Sequence, residues 1–219
     1  MHETLSERPL SAFSPAFVAQ LNELFRLRRD VRHFRRDLLP PGLIERLLGI
    51  ACHAPSVGFS QPWRFVIVET PAICQSIRAI FKSCNEAARV AYPDDRAAAY
   101  AALKLAGLDD APCQIAVFAE PDPDTGHGLG RQTMPETIAY SVVMAIHTLW
   151  LAARAEGVGL GWVSILDPAQ VQACLNVPEA WQFIGYLCVG YPLEVHATPE
   201  LERRGWEQPR PARSAIFRR

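Results

Sequence analysis

Arg28, Arg29 and Arg32, with Asp30 and Val31 among them, are the residues of this 219-residue chain whose types and spacing most suggest chemistry. Guanidinium groups hold a phosphate through forked, charge-assisted hydrogen bonds, so three arginines in five residues read as an anion clamp. Basic residues at a helix end also complement its dipole, and the cluster taken alone suits that role equally well. Asp30 contributes nothing to anion binding. On composition alone it pairs with a neighbouring arginine; the functional alternative is a proton donor or acceptor beside a ligand ring. A second segment, Pro55-Ser56-Val57-Gly58 followed by Gln61-Pro62-Trp63, supplies small residues and amides that let a flat ligand approach the backbone, or is a plain helix-to-strand connection. A third, Gly159 to Ser164, places Gly161 in a strand-like run, where glycine often marks close approach of a ligand. Ser164 lies outside a G-x-S-x-G elbow, which argues against a hydrolase, and a buried strand serine bonded to backbone is its plainer reading.

Composition narrows the partners. Lys and Arg number 22 against 23 Asp and Glu, a net charge of −1, so there is no global attraction to nucleic acid or an anionic membrane. A small-molecule partner fits better. The six cysteines show no C-x-x-C pair and the six histidines no H-x-x-x-H or H-E-x-x-H spacing, so no metal is expected and the thiols are read as reduced and mostly buried. Neither a G-x-G-x-x-G helix opening nor a P-loop is present. The polar N-terminus lacks a basic region followed by an apolar one, which predicts a cytoplasmic protein, and the apolar run over 138–153 is broken by Ser141, His147 and Thr148 and reads as a buried helix.

The elements that must position these residues are legible in outline. Ser14-Pro15 opens a helix with apolar residues at helical spacing, ending near Arg28. Pro40-Pro41 opens a second, which stops before Pro55. Strands are predicted over 64–69, 114–119, 159–166 and 181–190; helices over 71–90, 96–105, 135–156 and 168–175, the last behind an Asp167 to Gln170 capping box. Residues 121–130, rich in Pro, Gly and Asp, read as a surface loop or lid. The order implies one α+β domain with a mostly antiparallel or mixed sheet, an N-terminal extension over about 1–14, and a coreless tail over about 192–219 that must wander or wrap a neighbour.

R-R-D-V-R at Arg28 to Arg32, A-P-S-V-G-F-S-Q-P-W at Ala54 to Trp63, L-K-L-A-G at Leu103 to Gly107, and L-W-L-A-A-R-A-E-G-V-G-L-G-W-V-S-I at Leu149 to Ile165 resemble the nitroreductase-like flavoproteins. More narrowly they are similar to the flavin-cleaving branch, the 5,6-dimethylbenzimidazole synthase family, over about residues 25–206. The pairing of R-R-D with G-W-V-S-I carries most of the specificity. The resemblance implies an intertwined homodimer of nitroreductase-like fold with two FMN sites lined by both subunits. It implies that reduced FMN is substrate rather than retained cofactor, and that dioxygen is used to release 5,6-dimethylbenzimidazole, the lower ligand of vitamin B12, and erythrose 4-phosphate. A separate flavin reductase would supply the reduced FMN.

By the same resemblance Asp30 and Ser164 hold the two catalytic positions. Arg28, Arg29 and Arg32 would grip the phosphate and ring edge, with Val31, Pro55, Ser56, Val57, Gly58, Leu105 and Gly161 near the flavin. The stretch 130–138 keeps Gly130 and Arg131 but departs from the family's polar turn from Thr133 to Ile138. Two other readings suit the same residues: an ordinary FMN oxidoreductase acting on nitro compounds, quinones or halogenated aromatics, and a non-catalytic flavin-binding protein.

Overall fold

The computed structural model describes residues 12–219, so most of the expected N-terminal extension lies outside it. Four strands, β1 (Trp63–Ile67), β2 (Cys113–Ala119), β3 (Gly159–Val163) and β4 (Gln182–Gly190), form one sheet in the order β1-β2-β4-β3, every neighbouring pair antiparallel. Strand side chains alternate in direction, which gives the central β2 two buried faces. Ile115, Val117 and Ala119 face α2 (Leu43–Ala51) and α5 (Thr137–Ala155); Ala116 and Phe118 face α3 (Pro71–Val90) and α6 (Pro168–Leu175). The result is a helix, sheet, helix sandwich with a core on each side of the sheet.

Local chemistry explains several helix ends. α1 (Pro15–Leu27) starts where Ser14 Oγ accepts from Phe17 N at 3.2 Å, with Pro15 pre-set for the first turn. α6 starts where Asp167 Oδ1 accepts from Gln170 N at 2.9 Å, a contact that also holds the Asp167 carboxyl below its ordinary pKa. α5 ends at Gly157, whose φ of +74° few other residues adopt at low cost. This helix is long and apolar enough to cross a bilayer, yet Ile138, Val142, Ala145, Ile146, Leu149 and Ala153 bury one face against the sheet, as expected of a core helix.

Several expectations need correction. β3 stops at Val163, opposite Tyr186 in β4, so Ser164 lies beyond the strand and is exposed rather than buried. The helix expected over 96–105 is α4 (Asp94–Ala101), which leaves Leu105 in the loop that follows. Among the cysteines, all free, only Cys188 is buried; Cys52 is exposed and the other four are half-buried. Burial pushes the Cys188 and Cys113 thiols up to about 12, so neither is a ready nucleophile. The tail is not featureless: it contains α7 (Glu200–Arg203) and a short 3-10 turn over Ala212–Ala215. Trp206 anchors it on α4 and the connection before it, against Tyr92 (5.7 Å) and Tyr100 (6.2 Å) and beneath the Arg96 guanidinium.

Candidate active site

The arginine segment leaves α1 and runs along the end of the sheet. Asp30 bridges Leu160 in parallel, with Val31 N donating to Leu160 O at 3.0 Å, and Phe34 bridges Pro192 in the antiparallel sense. Gly161 is required for the first contact, since a Cβ there would stand 2.0 Å from Val31 O. Val31 itself packs over Gly159. From the other side, α5 holds the same segment: Trp150 Nε1 donates to Arg29 O at 3.0 Å, and Arg154 Nε, one turn on, donates to Leu27 O at 3.3 Å.

Asp30 has a defined partner for each oxygen. Oδ1 accepts from Trp162 N at 2.9 Å and Oδ2 pairs with Arg32 Nε at 2.9 Å, while 31% of its side chain stays accessible. The salt-bridge reading of Asp30 is therefore correct as far as it goes, and the remaining exposure leaves the carboxylate available to a ligand. Arg32 also donates to Lys104 O at 3.3 Å, which brings the loop containing Leu105 to the cluster. Arg29 donates to Arg28 O and, across the molecule, to Ala197 O in the tail, while its buried Nε has no partner among the described residues. Burial, then the like charges of Arg28, Arg26 and Arg154, pulls the Arg29 guanidinium below its ordinary pKa. A group of cations destabilising one another in this way is stabilised by an anion.

Such an anion has a place to sit. A cleft of about 220 Å³ is lined by Arg29, Asp30, Arg32, His33, His196 and Arg203, and α7 closes one side through Glu200, whose Oε1 lies 3.4 Å from His33 Nε2. Residues in the tail were not foreseen as site residues, because their approach depends on contacts more than 160 positions apart in sequence. Trp150 and Trp162 were missed as well. The available signal was the spacing of Trp150 and Arg154, which puts both on one face of a helix.

The expected site residues divide into two groups. Arg28, Arg29, Asp30, Val31, Arg32 and Gly161 converge directly, and Leu105 adjoins them through Lys104. Ser164 stands two residues, about 7 Å of strand, beyond the Trp162 amide that holds Asp30. Pro55, Ser56, Val57 and Gly58 form a separate station. Ser56 Oγ accepts from Gln61 N at 3.1 Å, and Val57 N donates to Ser141 Oγ at 3.0 Å. Gly58 (φ +57°) and Gly126 (φ +80°) let residues 126–130 lie directly on this turn, where a Cβ on either glycine would come within 3 Å of backbone oxygen. Ser141 and Trp150 are nine residues apart on α5, so the two stations are separated by about 13 Å along one helix.

The stretch that builds this helix-flanked sheet and the arginine segment, residues 26–191, matches the model of a known protein family. The chain belongs to the nitroreductase family. Among its relatives, the 5,6-dimethylbenzimidazole synthase of Rhodospirillum rubrum is 58% identical over 199 residues, covering 91% of this chain and 94% of that one. The 5,6-dimethylbenzimidazole synthase of Rhodobacter capsulatus is 51% identical over 188 residues, covering 86% and 91%. Among solved structures, iodotyrosine deiodinase bound to FMN and 3-iodo-L-tyrosine aligns with a TM-score of 0.68 at 25% identity over 80% of this chain and 91% of that one. A nitroreductase-like protein from Bacillus cereus, at 16% identity and a TM-score of 0.65, shares the fold over 95% of this chain and 97% of its own.

Proposed function

We propose that this nitroreductase-family chain is a 5,6-dimethylbenzimidazole synthase, which fragments reduced FMN with dioxygen into 5,6-dimethylbenzimidazole and erythrose 4-phosphate. The observation that carries the reading is Asp30: a partly accessible carboxylate fixed by Trp162 N and Arg32 within a cleft that Arg29, Arg32, Arg203 and Arg204 line together with Glu194 and Glu200. The 58% identity to the Rhodospirillum rubrum synthase supports the choice of reaction over other family chemistry.

The residues present fit a flavin mononucleotide. Arg28, Arg29 and Arg32 would hold its phosphate, and Arg29 Nε has an unused buried donor for it. Val31 would line the ligand on the sheet side and Leu105 on the other, while Gly161, its open face filled by Val31 O, makes room for the arginine segment rather than for the ligand. Bound there, reduced FMN supplies both the electrons for dioxygen and the carbon framework of the product. Asp30 accepts and returns protons at the ring and ribityl side, and Ser164, with no hydrogen-bond partner among the described residues, orients a hydroxyl or relays a proton. The tail, through Ala197 O on Arg29, and the loop at Lys104, through its carbonyl on Arg32, would screen the arginine end from bulk water.

One chain is not the whole site on this account. The cleft of about 220 Å³ is below the ~300 Å³ at which small-molecule pockets usually begin, and Pro55 to Gly58 sit about 13 Å along α5 from the arginines. A second subunit supplying that station across a two-fold axis would complete it, in the cytoplasm, with a separate flavin reductase providing the reduced FMN.

The test is product analysis. The protein is mixed with excess reduced FMN in air, and the products are separated by chromatography for wild type and Asp30→Asn. Dimethylbenzimidazole from wild type alone is expected. Quantitative return of oxidised FMN from wild type would instead mark an ordinary oxidoreductase, and identical behaviour of the two proteins would exclude a role for Asp30 in the chemistry.

A further inference from the structure

The three arginines of the clamp differ in how much of their hydrogen-bonding capacity is already used. Arg29 donates to two carbonyls, and Arg32 spends Nε on Asp30 and Nη1 on Lys104 O. Arg28 makes no side-chain hydrogen bond or ion pair among the described residues; its guanidinium carbon lies 4.7 Å from the centre of the Trp150 ring. A guanidinium stacked on an indole is held by its face, which leaves the N–H groups at its edge unspent. The same indole is fixed at its other end, where Nε1 donates to Arg29 O. Trp150 therefore holds the side chain of Arg28 and the carbonyl of the next residue together, and Arg154, one turn further along α5, holds Leu27 O on the opposite side of Arg28. Trp162 buttresses the arrangement, its ring 6.4 Å from that of Trp150 and its amide on Asp30. Arg28, Arg29, Asp30 and Arg32 together line a recess of about 140 Å³ that faces Pro199, Glu200 and Leu201.

We propose that Trp150 is a positioning residue for phosphate recognition: its indole orients Arg28 so that this arginine carries most of the discrimination between a phosphorylated flavin and one without phosphate. The inference rests on the reading of the cleft as the phosphate end of a flavin site, and goes beyond it by assigning the selectivity to one arginine and its control to a tryptophan that does not touch the ligand.

The experiment measures equilibrium binding of oxidised FMN and of riboflavin, by flavin fluorescence, to wild type, Trp150→Phe, Trp150→Leu, Arg28→Ala and the Trp150→Leu/Arg28→Ala double variant. Wild type prefers FMN. Trp150→Leu lowers that preference about three- to tenfold, the range expected for loss of a cation–π contact, with riboflavin affinity unchanged. Trp150→Phe keeps most of the preference because the aromatic face remains, and the double variant matches Arg28→Ala. The proposal is overturned if Trp150→Leu weakens FMN and riboflavin alike, or if its effect adds fully to that of Arg28→Ala. Should Trp150→Leu fail to fold, Trp150→Phe decides: a fall to the Arg28→Ala level overturns the stacking role. A wild type with no preference for FMN would remove the flavin-phosphate reading as well. Because no turnover is involved, the result does not depend on whether the flavin is later consumed.

Discussion

At the scale of single residues, Asp30 and Ser164 differ in what their removal should do. Asp30→Asn keeps an oxygen for Trp162 N but loses the charge opposite Arg32, so product formation should be abolished while FMN affinity stays within a few-fold, checked by chromatography and fluorescence titration on the same preparation. Asp30→Ala leaves a backbone N–H and a largely buried guanidinium without their partner, and should cost about 1–3 kcal/mol in urea unfolding. Ser164 is exposed and outside the strand. Its change to Ala should leave stability within about 0.5 kcal/mol, so a loss of product in Ser164→Ala would be chemical rather than structural.

At the scale of elements, the account depends on how closely the arginine segment lies against β3. Gly161→Ala should push that segment away, because its Cβ would stand 2.0 Å from Val31 O; differential scanning calorimetry should show a fall of several degrees, and flavin affinity should drop with it. The loop carrying Leu105 is held by Asp110, which pairs with Lys104 at 2.6 Å and Arg36 at 3.1 Å. The Lys104 hydrogen bond, opposed by burial and reinforced by Arg36, holds the Asp110 carboxyl below its ordinary 3.8. A carboxyl with a depressed folded-state pKa stabilises the fold above its unfolded value and loses that contribution as pH falls through the folded one. Asp110→Asn should therefore be less stable than wild type by up to about 1 kcal/mol at neutral pH, and denaturant titrations should show the gap closing below pH 3.8.

What could be read from sequence follows the range of the forces involved. Ser14 with Phe17, and Asp167 with Gln170, bond over three residues, so both helix starts were evident from local residue types. The end of β3 was not: β3 parts from β4 after Val163, opposite Tyr186, although β4 itself runs on to Gln182, and no local residue pattern marks that point before Ser164. Asp30 was recognisable as unusual among arginines, yet its bond to Trp162 N spans 132 positions and no local pattern encodes it. The link from Arg29 to the tail and the role of Trp150 were hidden for the same reason.

At the scale of the molecule, one chain exposes apolar side chains that a pair would cover. Phe17, Val18 and Phe25 on α1 and Tyr140, Val143 and Met144 on α5 are each 40% exposed or more. Light scattering should give twice the 24.3 kDa chain mass, and charged substitutions at Val143 and Met144 should yield monomers with weakened flavin binding, since the station at Pro55 to Gly58 would then be missing from each site. The central claim is that the flavin is consumed. It is tested most directly by a flavin balance: a known amount of reduced FMN is exposed to air with the enzyme, and residual flavin and dimethylbenzimidazole are both quantified. The account predicts about one dimethylbenzimidazole for each flavin lost; full recovery of flavin as oxidised FMN, with no dimethylbenzimidazole, would contradict it.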